Sequence, residues 1–577
     1  MRPLFCASLI AIFGASPACE PPPGLPTVPT PRAPVAASCI SIAAWNDLHG
    51  QLGPDEAQVD NTRIPAGGLV ALADQLALVR DSGDPVVALD AGDLFTGPLD
   101  STLAEGAPVI DAYNVMGVDA AAIGNHEFDF GPVGYERVVA PVGVGDEAGA
   151  DGPRGALFAR MAGARFPFLS ANLQRTDGTR LGWAHALPST HIKRGGFDIG
   201  VVGYSTVETP ITTLKPNVVG LDFATNAASR VAAEVRSLRA AGASPVVLLA
   251  HASIEGTLPQ VLDDPLDPEG ARRVGELAAL LDAMPATDRP DVIVAGHRHQ
   301  WMLGKVRGVP IVSSDCHGVG LARIRYCRAY AGAAPRLDRI ERRASLPGSA
   351  PSTPLGGAVA AAVAPWRAKV KAQAETVVTT LKAPCAEKAL NGTALGEQTA
   401  RAIAEHAGAA ADPPAGVPLV ALVNTGGLRA PLGAGPVRYR DVFATSPFEN
   451  GIAICATTRG GLARTLSNAI DVPESRDRLP FGIAGAKVTL VRAADGSLTL
   501  KRLVLDGSAP GAVSRDDEPV WLAIPDFILW GGDALLRGVT CTSTANAQLR
   551  VRDAWREVLA RERACDGAPK NVSVEAP

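Results

Sequence analysis

Five short clusters of metal-ligating residues each follow an apolar, strand-like run of this sequence. The clusters are Trp45-Asn46-Asp47-Leu48-His49, Ala91-Gly92-Asp93, Gly124-Asn125-His126-Glu127-Phe128-Asp129, Ala250-His251 and Ala295-Gly296-His297-Arg298-His299. They contain five of the 9 histidines of the chain. Because the loops at the carboxyl ends of strands in α/β layers converge on one edge, we expect the clusters to meet there. Their carboxylate, amide and imidazole groups predict a site for two divalent metal ions.

A binuclear site needs a carboxylate that bridges both ions, and we expect Asp93 to be that bridge. The other expected ligands form one group per ion: Asp47, His49 and His299, and Asn125, His251 and His297. Such ligands suit Zn, Mn, Fe or Co. Two such ions lower the pKa of a bound water and clamp the attacking and leaving oxygens of an in-line displacement. The expected chemistry is therefore attack of a metal-bound hydroxide on phosphorus.

His126 is left without a metal ion in this arrangement. Asp129 follows three residues later and can orient the imidazole, so His126 is the candidate to stabilise or protonate the leaving oxygen. Glu127, between these two residues, is interpreted as a solvated loop carboxylate. For three residues beside the clusters, the sequence leaves open whether they support the ligands or only form turns: Asp90, Asp315 and His317.

The order of these motifs resembles that of the calcineurin-like metallophosphoesterases. The GNHEFD motif at residues 124–129 is similar to the branch that contains the bacterial 5′-nucleotidases and UDP-sugar hydrolases, and the resemblance covers roughly residues 40–540. It implies an α/β (α+β) fold with a four-layer metallophosphoesterase β-sandwich flanked by helices. A second α/β domain, which binds substrate, would follow after a helical connector. In the resembling family the two domains rotate about such a connector to open and close the substrate cleft.

The chain of 577 residues is longer than one hydrophobic core supports. Residues 345–355 are turn-rich, and residues 356–380 begin with an Ala-rich helical pattern that Pro365 should end or kink. The predicted segments are a signal peptide (1–18), a Pro-rich tether (19–38), a metallophosphoesterase domain (39–345), an interdomain connector (346–380) and a 5′-nucleotidase-type C-terminal domain (381–570).

Three motifs in the second half are similar to the nucleotide-binding elements of the 5′-nucleotidase C-terminal domain: NTGGLR at 424–429, SPFEN at 446–450 and FILWGGD at 527–533. The rings of Phe448 and Phe527 would sandwich a base. Asp533 would accept hydrogen bonds from ribose, and Arg429 would hold phosphate with its planar guanidinium. Asn424 would hold either the phosphate or the loop itself.

The second half also departs from the family pattern. The arginine that is usual in the family is either absent or replaced by Lys388, and Arg401 stands where an aspartate is usual. Ala534-Leu535 follows the GGD motif in place of a glycine and an aromatic residue. Because a lysine is a point charge and lacks the planar fork of arginine, these changes predict weaker phosphate or ribose contacts. The substrate therefore need not be a nucleoside monophosphate.

The N-terminus has the pattern of an export signal, with Arg2 before an apolar run at 4–15 and small residues at 16–18. Cys19 follows directly, as in bacterial lipoproteins, so we favour a lipid anchor at Cys19 over cleavage and secretion alone. The Pro-rich residues 20–38 would then form an extended tether. The expected location is the periplasm or the cell surface.

Seven of the 9 cysteines lie beyond Cys6 and Cys19. An odd number leaves at least one thiol without an intramolecular partner. We expect the pairs Cys316–Cys327 and Cys541–Cys565, because the members of each pair are close in sequence.

The formal net charge of −5 gives no electrostatic footprint for duplex nucleic acid. The predicted function is an exported binuclear-metal phosphohydrolase for nucleotide-type small molecules: a 5′-monophosphate, a UDP-sugar or a 2′,3′-cyclic nucleotide. One alternative is another metal-dependent hydrolase, such as a thiosulfohydrolase-like or broad phosphodiesterase enzyme, which the altered second half favours. The other is a catalytically inactive surface binding lipoprotein, against which the complete ligand set argues.

Overall fold

The structure is a computed structural model that describes residues 38–59, 62–131, 133, 152–254, 275–344, 351–386, 389, 392–411, 414–476, 478–507, 515–565 and 569–575. The predicted signal peptide, the tether as far as residue 37, Cys19 and Lys388 lie outside the described residues. In the described part of the chain, no helix combines the length and the apolar character that a membrane crossing requires.

The strands of the first domain are β1 (Ser38–Trp45), β2 (Asp55–Val59), β3 (Thr62–Ala66), β4 (Val86–Asp90), β5 (Ala120–Ala122), β6 (Phe168–Leu169), β7 (Gln174–Arg175), β8 (Ala186–Leu187), β9 (Ser189–Arg194), β10 (Phe197–Ser205), β11 (Leu221–Asp222), β12 (Val246–His251), β13 (Val292–Ala295), β14 (Met302–Val306), β15 (Val309–Ser313), β16 (Gly320–Arg328) and β17 (Arg336–Ala344). Its helices are α1 (Gly68–Arg80), α2 (Leu99–Thr102), α3 (Ala107–Met116), α4 (Gly155–Gly163), α5 (Thr209–Thr212), α6 (Lys215–Val218), α7 (Ala227–Ala240) and α8 (Glu276–Asp282).

Two sheets form the centre of this domain. One has the order β17-β16-β1-β4-β5-β6-β8 and the other the order β14-β15-β13-β12-β10-β9. β1, β4, β5 and β6 are mutually parallel, as are β10, β12, β13 and β15. Strands of this kind are buried on both faces, which explains why their sequences are continuous apolar runs.

The side chains of β1 alternate between two hydrophobic cores. Ile42 lies in the core between the sheets together with Leu89 and Leu249, whereas Trp45 lies on the opposite face, in a core shared with α1 and α3. A third core joins the outer face of the second sheet to α7 and α8 and contains Val231 and Leu277. The order of layers is therefore helix, sheet, sheet, helix, and the predicted four-layer sandwich is confirmed.

A long helix, α9 (Pro354–Ala374), leads out of the first domain. Thr353 caps its N-terminus by accepting a hydrogen bond from the N–H of Gly356 at 3.0 Å. Val359 and Val363 pack into the core of the first domain. Of the two expectations for Pro365, an end of the helix is wrong, because the helix continues through this residue, and a kink stays a prediction.

The second domain has the strands β18 (Val377–Leu381), β19 (Leu419–Asn424), β20 (Gly435–Arg438), β21 (Gly451–Thr458), β22 (Phe481–Ala484), β23 (Ala486–Arg492), β24 (Leu498–Leu505), β25 (Pro519–Pro525), β26 (Thr542–Arg550) and β27 (Val572–Glu575). Its helices are α10 (Ala394–Ala410), α11 (Tyr439–Thr445), α12 (Arg459–Ile470), α13 (Asp526–Leu529) and α14 (Val551–Glu562).

A five-stranded sheet of the order β22-β19-β25-β21-β26 separates two hydrophobic cores of the second domain. α10 and α14 cover one face, and α12 with the three-stranded sheet β24-β23-β27 covers the other. A small cluster links the two domains, in which Leu99 contacts Tyr439 and Phe443 of α11. The prediction that the second domain has an α/β fold is thus confirmed.

Three disulfides close long loops: Cys39–Cys327, Cys385–Cys565 and Cys455–Cys541. Both expected pairs, Cys316–Cys327 and Cys541–Cys565, are wrong. Cys39 and Cys327 face each other across neighbouring strands β1 and β16, so sheet pairing and not sequence proximity selects the partner. Cys316 remains a free thiol. Disulfides of this number are characteristic of proteins in an oxidising, extracytoplasmic compartment.

Candidate metal centre

The five clusters meet at the carboxyl ends of five strands. Asp47 follows β1, Asp93 follows β4 and Asn125 follows β5 in the first sheet, while His251 ends β12 and His297 follows β13 in the second. The apolar strands therefore carry all five polar ends to the same edge of the sandwich. This is the edge at which open α/β sheets bind ligands.

The predicted ligands form two groups that share one carboxylate. Within each group, the ligand atoms all lie within 4.8 Å of one another: Asp47, His49, Asp93 and His299, and Asp93, His251 and His297. Asn125 joins the second group, because its Oδ1 lies 3.2 Å from Nε2 of His251. The structure thus brings together every residue that the sequence suggests as a metal ligand.

The donor set fits two divalent ions. Oδ2 of Asp93 lies 3.0 Å from Nε2 of His251 and 3.7 Å from Nε2 of His49, so one carboxylate faces both groups. The Nε2 atoms of His49 and His299 are 2.9 Å apart. Two lone pairs directed at each other repel unless a cation or proton lies between them. Imidazole, carboxylate and amide donors together match the preferences of Zn, Mn, Fe or Co.

Backbone carbonyls set the orientation of the buried imidazoles. Nδ1 of His251 lies 2.9 Å from the carbonyl oxygen of Ala91, and Nδ1 of His49 lies 3.1 Å from that of Thr96. Donation from Nδ1–H to these carbonyls leaves the lone pair of each Nε2 directed into the centre. Asp47 is fixed in a similar way, since it accepts a hydrogen bond of 2.9 Å from the backbone N–H of His297.

Five of the seven candidate ligands have left-handed backbone conformations: Asp47, His49, Asp93, His297 and His299, with φ between 48° and 78°. Non-glycine residues adopt such angles only when the surrounding structure compensates a strain of about 1–3 kcal/mol each. Such residues concentrate at active sites and ligand clamps. The backbone is therefore strained at the positions that direct side chains into the centre.

His126 lies beside the shared carboxylate. Its backbone N–H donates to Oδ1 of Asp93 at 2.9 Å, and its Nδ1 lies 2.5 Å from Oδ2 of Asp129. Thr213 donates to the other oxygen of Asp129 at 2.8 Å, which fixes that carboxylate. Burial would lower the pKa of His126, but the negative charges of Asp129 and Asp93 raise it above its ordinary value. The arrangement is an oriented imidazole next to the metal centre.

Glu127 is buried, and its interpretation as a solvated loop carboxylate is wrong. It accepts hydrogen bonds from the backbone N–H groups of Gly124 at 2.6 Å, Leu94 at 2.7 Å and Asp93 at 3.0 Å. Burial and the charge of Asp93 raise its pKa to about 7. Glu127 therefore ties together the two loops that carry Asp93 and Asn125. Its position within GNHEFD is the one sequence signal that points to this role.

Gly124 shows how closely these loops approach. A Cβ atom at this position would lie 2.2 Å from Oδ1 of Asp93, which leaves space only for hydrogen.

The three residues whose role the sequence leaves open lie in different surroundings. Asp90 is buried and accepts hydrogen bonds from the Tyr113 hydroxyl and the N–H of Gly92, so it supports the loop of Asp93. Asp315 pairs with Arg342 at 2.6 Å, outside the two ligand groups. The ring of His317 lies beside the centre, with its centroid 5.8 Å from that of His49.

Two of the predicted substrate-binding residues, Phe448 and Arg429, lie near the metal centre. Phe448 stacks on His126 with ring centroids 5.8 Å apart and planes inclined by 24°, and the Arg429 guanidinium lies 5.9 Å from the Phe448 ring. Nδ2 of Asn424 donates to Asp533 at 2.6 Å, which favours loop support for Asn424. Phe527 lies against Gly532, where a Cβ atom would be 2.4 Å from its ring. The sandwich of a base between Phe448 and Phe527 stays a prediction.

Burial lowers the pKa of Arg429, while the negative charges of Asp93 and Asp129 and the Cys316 thiol oppose that change. The guanidinium of the second domain is thus close enough to interact electrostatically with groups of the first domain. Arg429 and Phe448 of the second domain thus lie close to the ligand groups of the first domain.

The two-sheet sandwich, the shared carboxylate and the second domain define a two-domain α/β architecture with a candidate centre for two metal ions. Residues 369–535 match the family profile described as the 5′-nucleotidase C-terminal domain. The 5′-nucleotidase precursor of Thermus thermophilus has the same fold over 93% of this chain and 99% of its own, with a TM-score of 0.72 and 21% identity. Residues 369–535 are therefore similar to the 5′-nucleotidase C-terminal domain, and the chain has the two-domain fold of 5′-nucleotidases, which confirms the resemblance.

Other proteins that are similar to this chain have names that state different activities. The mouse 5′-nucleotidase is 29% identical over 235 residues, which are 39% of this chain and 36% of that protein. The match thus spans about a third of the length of this curated relative. A sulfate thiohydrolase of Thermus thermophilus shares the fold over 93% of this chain and 96% of its own, with a TM-score of 0.66 and 17% identity. The fold is common to more than one kind of hydrolase.

Proposed function

We propose that this protein hydrolyses a phosphoester or phosphoanhydride bond of a nucleotide: a 5′-monophosphate, a UDP-sugar or a 2′,3′-cyclic nucleotide. The observation that carries the proposal is the position of Asp93 in both ligand groups, with His126 in contact with the same carboxylate. The seven residues with metal-binding roles are Asp47, His49, Asp93, Asn125, His251, His297 and His299. Two divalent ions held there would activate water and neutralise charge on the phosphoryl oxygens.

The residues of the chain have separate tasks in this reaction. His126, fixed by Asp129 through Nδ1, directs its other nitrogen to the departing oxygen and supplies or shares a proton there. Arg429 holds a non-reacting phosphate oxygen, for which a planar guanidinium is suited. Phe448 offers a ring face to a base or sugar, although it must leave the ring of His126 for substrate to enter.

Replacement of His126 by glutamine is expected to lower kcat about a hundredfold, because general acid–base groups contribute about 10²–10⁴ to rate. Glutamine keeps the size and a hydrogen-bonding group but cannot transfer a proton. Steady-state kinetics on AMP and metal content by mass spectrometry provide the measurement. A variant that keeps two ions and full kcat would remove the acid role from His126.

A panel of substrates tests the function itself. AMP, UDP-glucose, 2′,3′-cyclic AMP and a bis-aryl phosphodiester are each incubated with the full chain and Mn²⁺ or Co²⁺, with and without a chelator. Release of phosphate or nucleotide from at least one of the first three, abolished by the chelator, is expected. No turnover of any nucleotide by protein that holds two ions would contradict the proposal.

A second candidate is a hydrolase for a different ester, such as a thiosulfate ester or a general phosphodiester. The observation that favours it is the engagement of Asp533 by Asn424, which occupies a carboxylate oxygen that ribose would need. The replacement of the glycine and aromatic residue after GGD by Ala534 and Leu535 points the same way. Activity confined to the diester or to a thiosulfate ester would select this candidate.

We also propose export, attachment to a membrane through a lipid on Cys19, and domain limits of 39–345, 346–380 and 381–570. The three disulfides support an oxidising location. A relative from Listeria monocytogenes, 27% identical over 292 residues, is named a cell wall protein. Separate cores on either side of α9 support the domain limits. Loss of the protein from the membrane fraction on Cys19→Ser substitution would test the anchor.

A further inference from the structure

A third group of metal-ligating side chains adjoins the binuclear centre. His299, Cys316 and His317 each place one ligand atom within 4.8 Å of the others. All three are partly exposed, whereas Asp47 and His49 of the neighbouring group are buried. The third group therefore lies on the solvent side of the first, and His299 belongs to both.

The donor types differ from those of the binuclear centre. One thiolate with two imidazoles is a soft set that suits zinc, whose Zn–S and Zn–N distances are about 2.3 and 2.0–2.1 Å. Such distances place tetrahedral ligand atoms about 3.5 Å apart. Ligand atoms that are already within 4.8 Å need only small side-chain rotations to reach that spacing.

The loop that carries Cys316 and His317 is braced on both sides. The N–H of His317 donates to the carbonyl of Asp47 at 2.8 Å, and the N–H of Gly68 donates to the carbonyl of His317 at 2.7 Å. The preceding Asp315 pairs with Arg342 at 2.6 Å. His317 itself has a φ of 56°, in the left-handed region that non-glycine residues avoid. Strained residues concentrate at ligand-binding sites, so the fixed conformation of His317 supports a metal site at this loop.

The state of the thiol is an independent observation. Six described cysteines form disulfides, whereas Cys316 is free although its side chain is not fully buried. An accessible thiol in an oxidising compartment is exposed to oxidation or disulfide exchange. A bound metal ion would occupy the sulfur and protect it. Metal binding would therefore explain why a free thiol lies next to two imidazoles on the solvent side of the first ligand group.

We propose that His299, Cys316 and His317 form a separate zinc-type site whose occupation competes with the binuclear centre for His299. A neutral imidazole has one unprotonated ring nitrogen, so His299 cannot bind two ions at the same time. Nε2 of His299 lies 2.9 Å from Nε2 of His49 and 3.5 Å from Oδ1 of Asp47, within the first group. On binding of a third ion, the thiol releases its proton to solvent and His299 leaves that group. The effect on hydrolysis rests on the proposed function, but the site itself does not.

Cobalt provides a direct probe of the thiolate. The full-length protein that carries two equivalents of zinc is titrated with Co²⁺, and thiolate-to-cobalt charge-transfer absorption is followed in the near ultraviolet. The expected result is one further equivalent of Co²⁺ with this band, and loss of both in Cys316→Ser and His317→Gln. His406→Gln, in the second domain, is the control and should behave as the unsubstituted protein. Absence of the band in the unsubstituted protein would overturn the site.

Hydrolysis of AMP measures the competition. Zinc beyond two equivalents is expected to lower activity about tenfold or more in the unsubstituted protein, because even the loss of a residue that only supports a metal ligand costs about 10–100-fold. Cys316→Ser should keep its activity under the same conditions, and excess Mn²⁺, which does not favour thiolate, should inhibit neither. Equal zinc inhibition of both proteins would overturn the competition. A cobalt–thiolate band in a protein that hydrolyses none of the nucleotides of the substrate panel would contradict the proposed function and leave the third site standing.

Discussion

Replacement of Asp93 by alanine is expected to abolish metal binding and to lower kcat/KM by a factor on the order of a thousand or more. Asp93 belongs to both ligand groups, so its loss removes a negative charge from the surroundings of each ion. It also accepts the backbone N–H of His126, which would lose its partner. Burial would raise the pKa of Asp93, but the imidazoles of His251 and His126 lower it well below its ordinary value. The carboxylate is thus held in the charged form that a bridge requires.

The measurement combines metal content by mass spectrometry with steady-state hydrolysis of the best substrate in the panel. Asp93→Asn, which keeps the size of the side chain, separates the loss of charge from a cavity effect. Asp111→Asn is a matched control, because Asp111 is exposed on α3 and accepts a hydrogen bond from Trp366. Retention of two ions and of normal turnover by Asp93→Ala would eliminate Asp93 as the bridge and the binuclear mechanism with it.

The convergence of the ligands could be predicted because it depends on a simple relation between strands and loops. β4 and β12 are parallel to both of their neighbours, and β1 is parallel to β4. All three strands are apolar on both faces, so each run of residues ends at the same edge of its sheet. The residue types after those runs then specify the chemistry. No knowledge of the distances between the strands is needed to place Asp47, His49 and His251 at the same edge of the sandwich.

The disulfides could not be predicted in the same way. Cys39 and Cys327 are separated by 288 residues and meet only because β1 pairs antiparallel with β16. The partner of a strand across a sheet depends on tertiary packing, which sequence proximity does not report. The stacking of Phe448 on His126 could not be predicted for the same reason, because it depends on how the second domain sits over the first.

The backbone conformation of the ligands is also invisible in the sequence. Asp93 and His297 have φ values of 58° and 78°, which side-chain type alone would disfavour. Their strain is compensated by hydrogen bonds from loops that are distant in sequence. The N–H of His297, for example, donates to Asp47. A functional site can therefore contradict local preference at the positions that matter most for its chemistry.

Replacement of Glu127 by alanine is expected to destabilise the protein by about 3 kcal/mol or more, because each buried N–H left without an acceptor costs about 1–3 kcal/mol. Three such groups would lose their partner, those of Asp93, Leu94 and Gly124. Activity should fall at least about a hundredfold in the protein that remains folded, since a displacement near 1 Å can have that effect. Glu127 touches no predicted substrate atom, so this is a positioning effect.

Thermal unfolding and metal titration together test this role. Glu127→Gln retains one carbonyl acceptor and should lie between alanine and the unsubstituted protein in both melting temperature and metal affinity. Glu557→Ala is the matched control. Glu557 is an exposed carboxylate on α14, and within the described residues His406 is the one hydrogen-bond partner of its side chain. If Glu127→Ala unfolds at the same temperature and binds metal with the same affinity, the carboxylate does not hold the two loops. A loss of metal affinity that glutamine partly restores instead assigns to Glu127 the task of positioning Asp93 and Asn125.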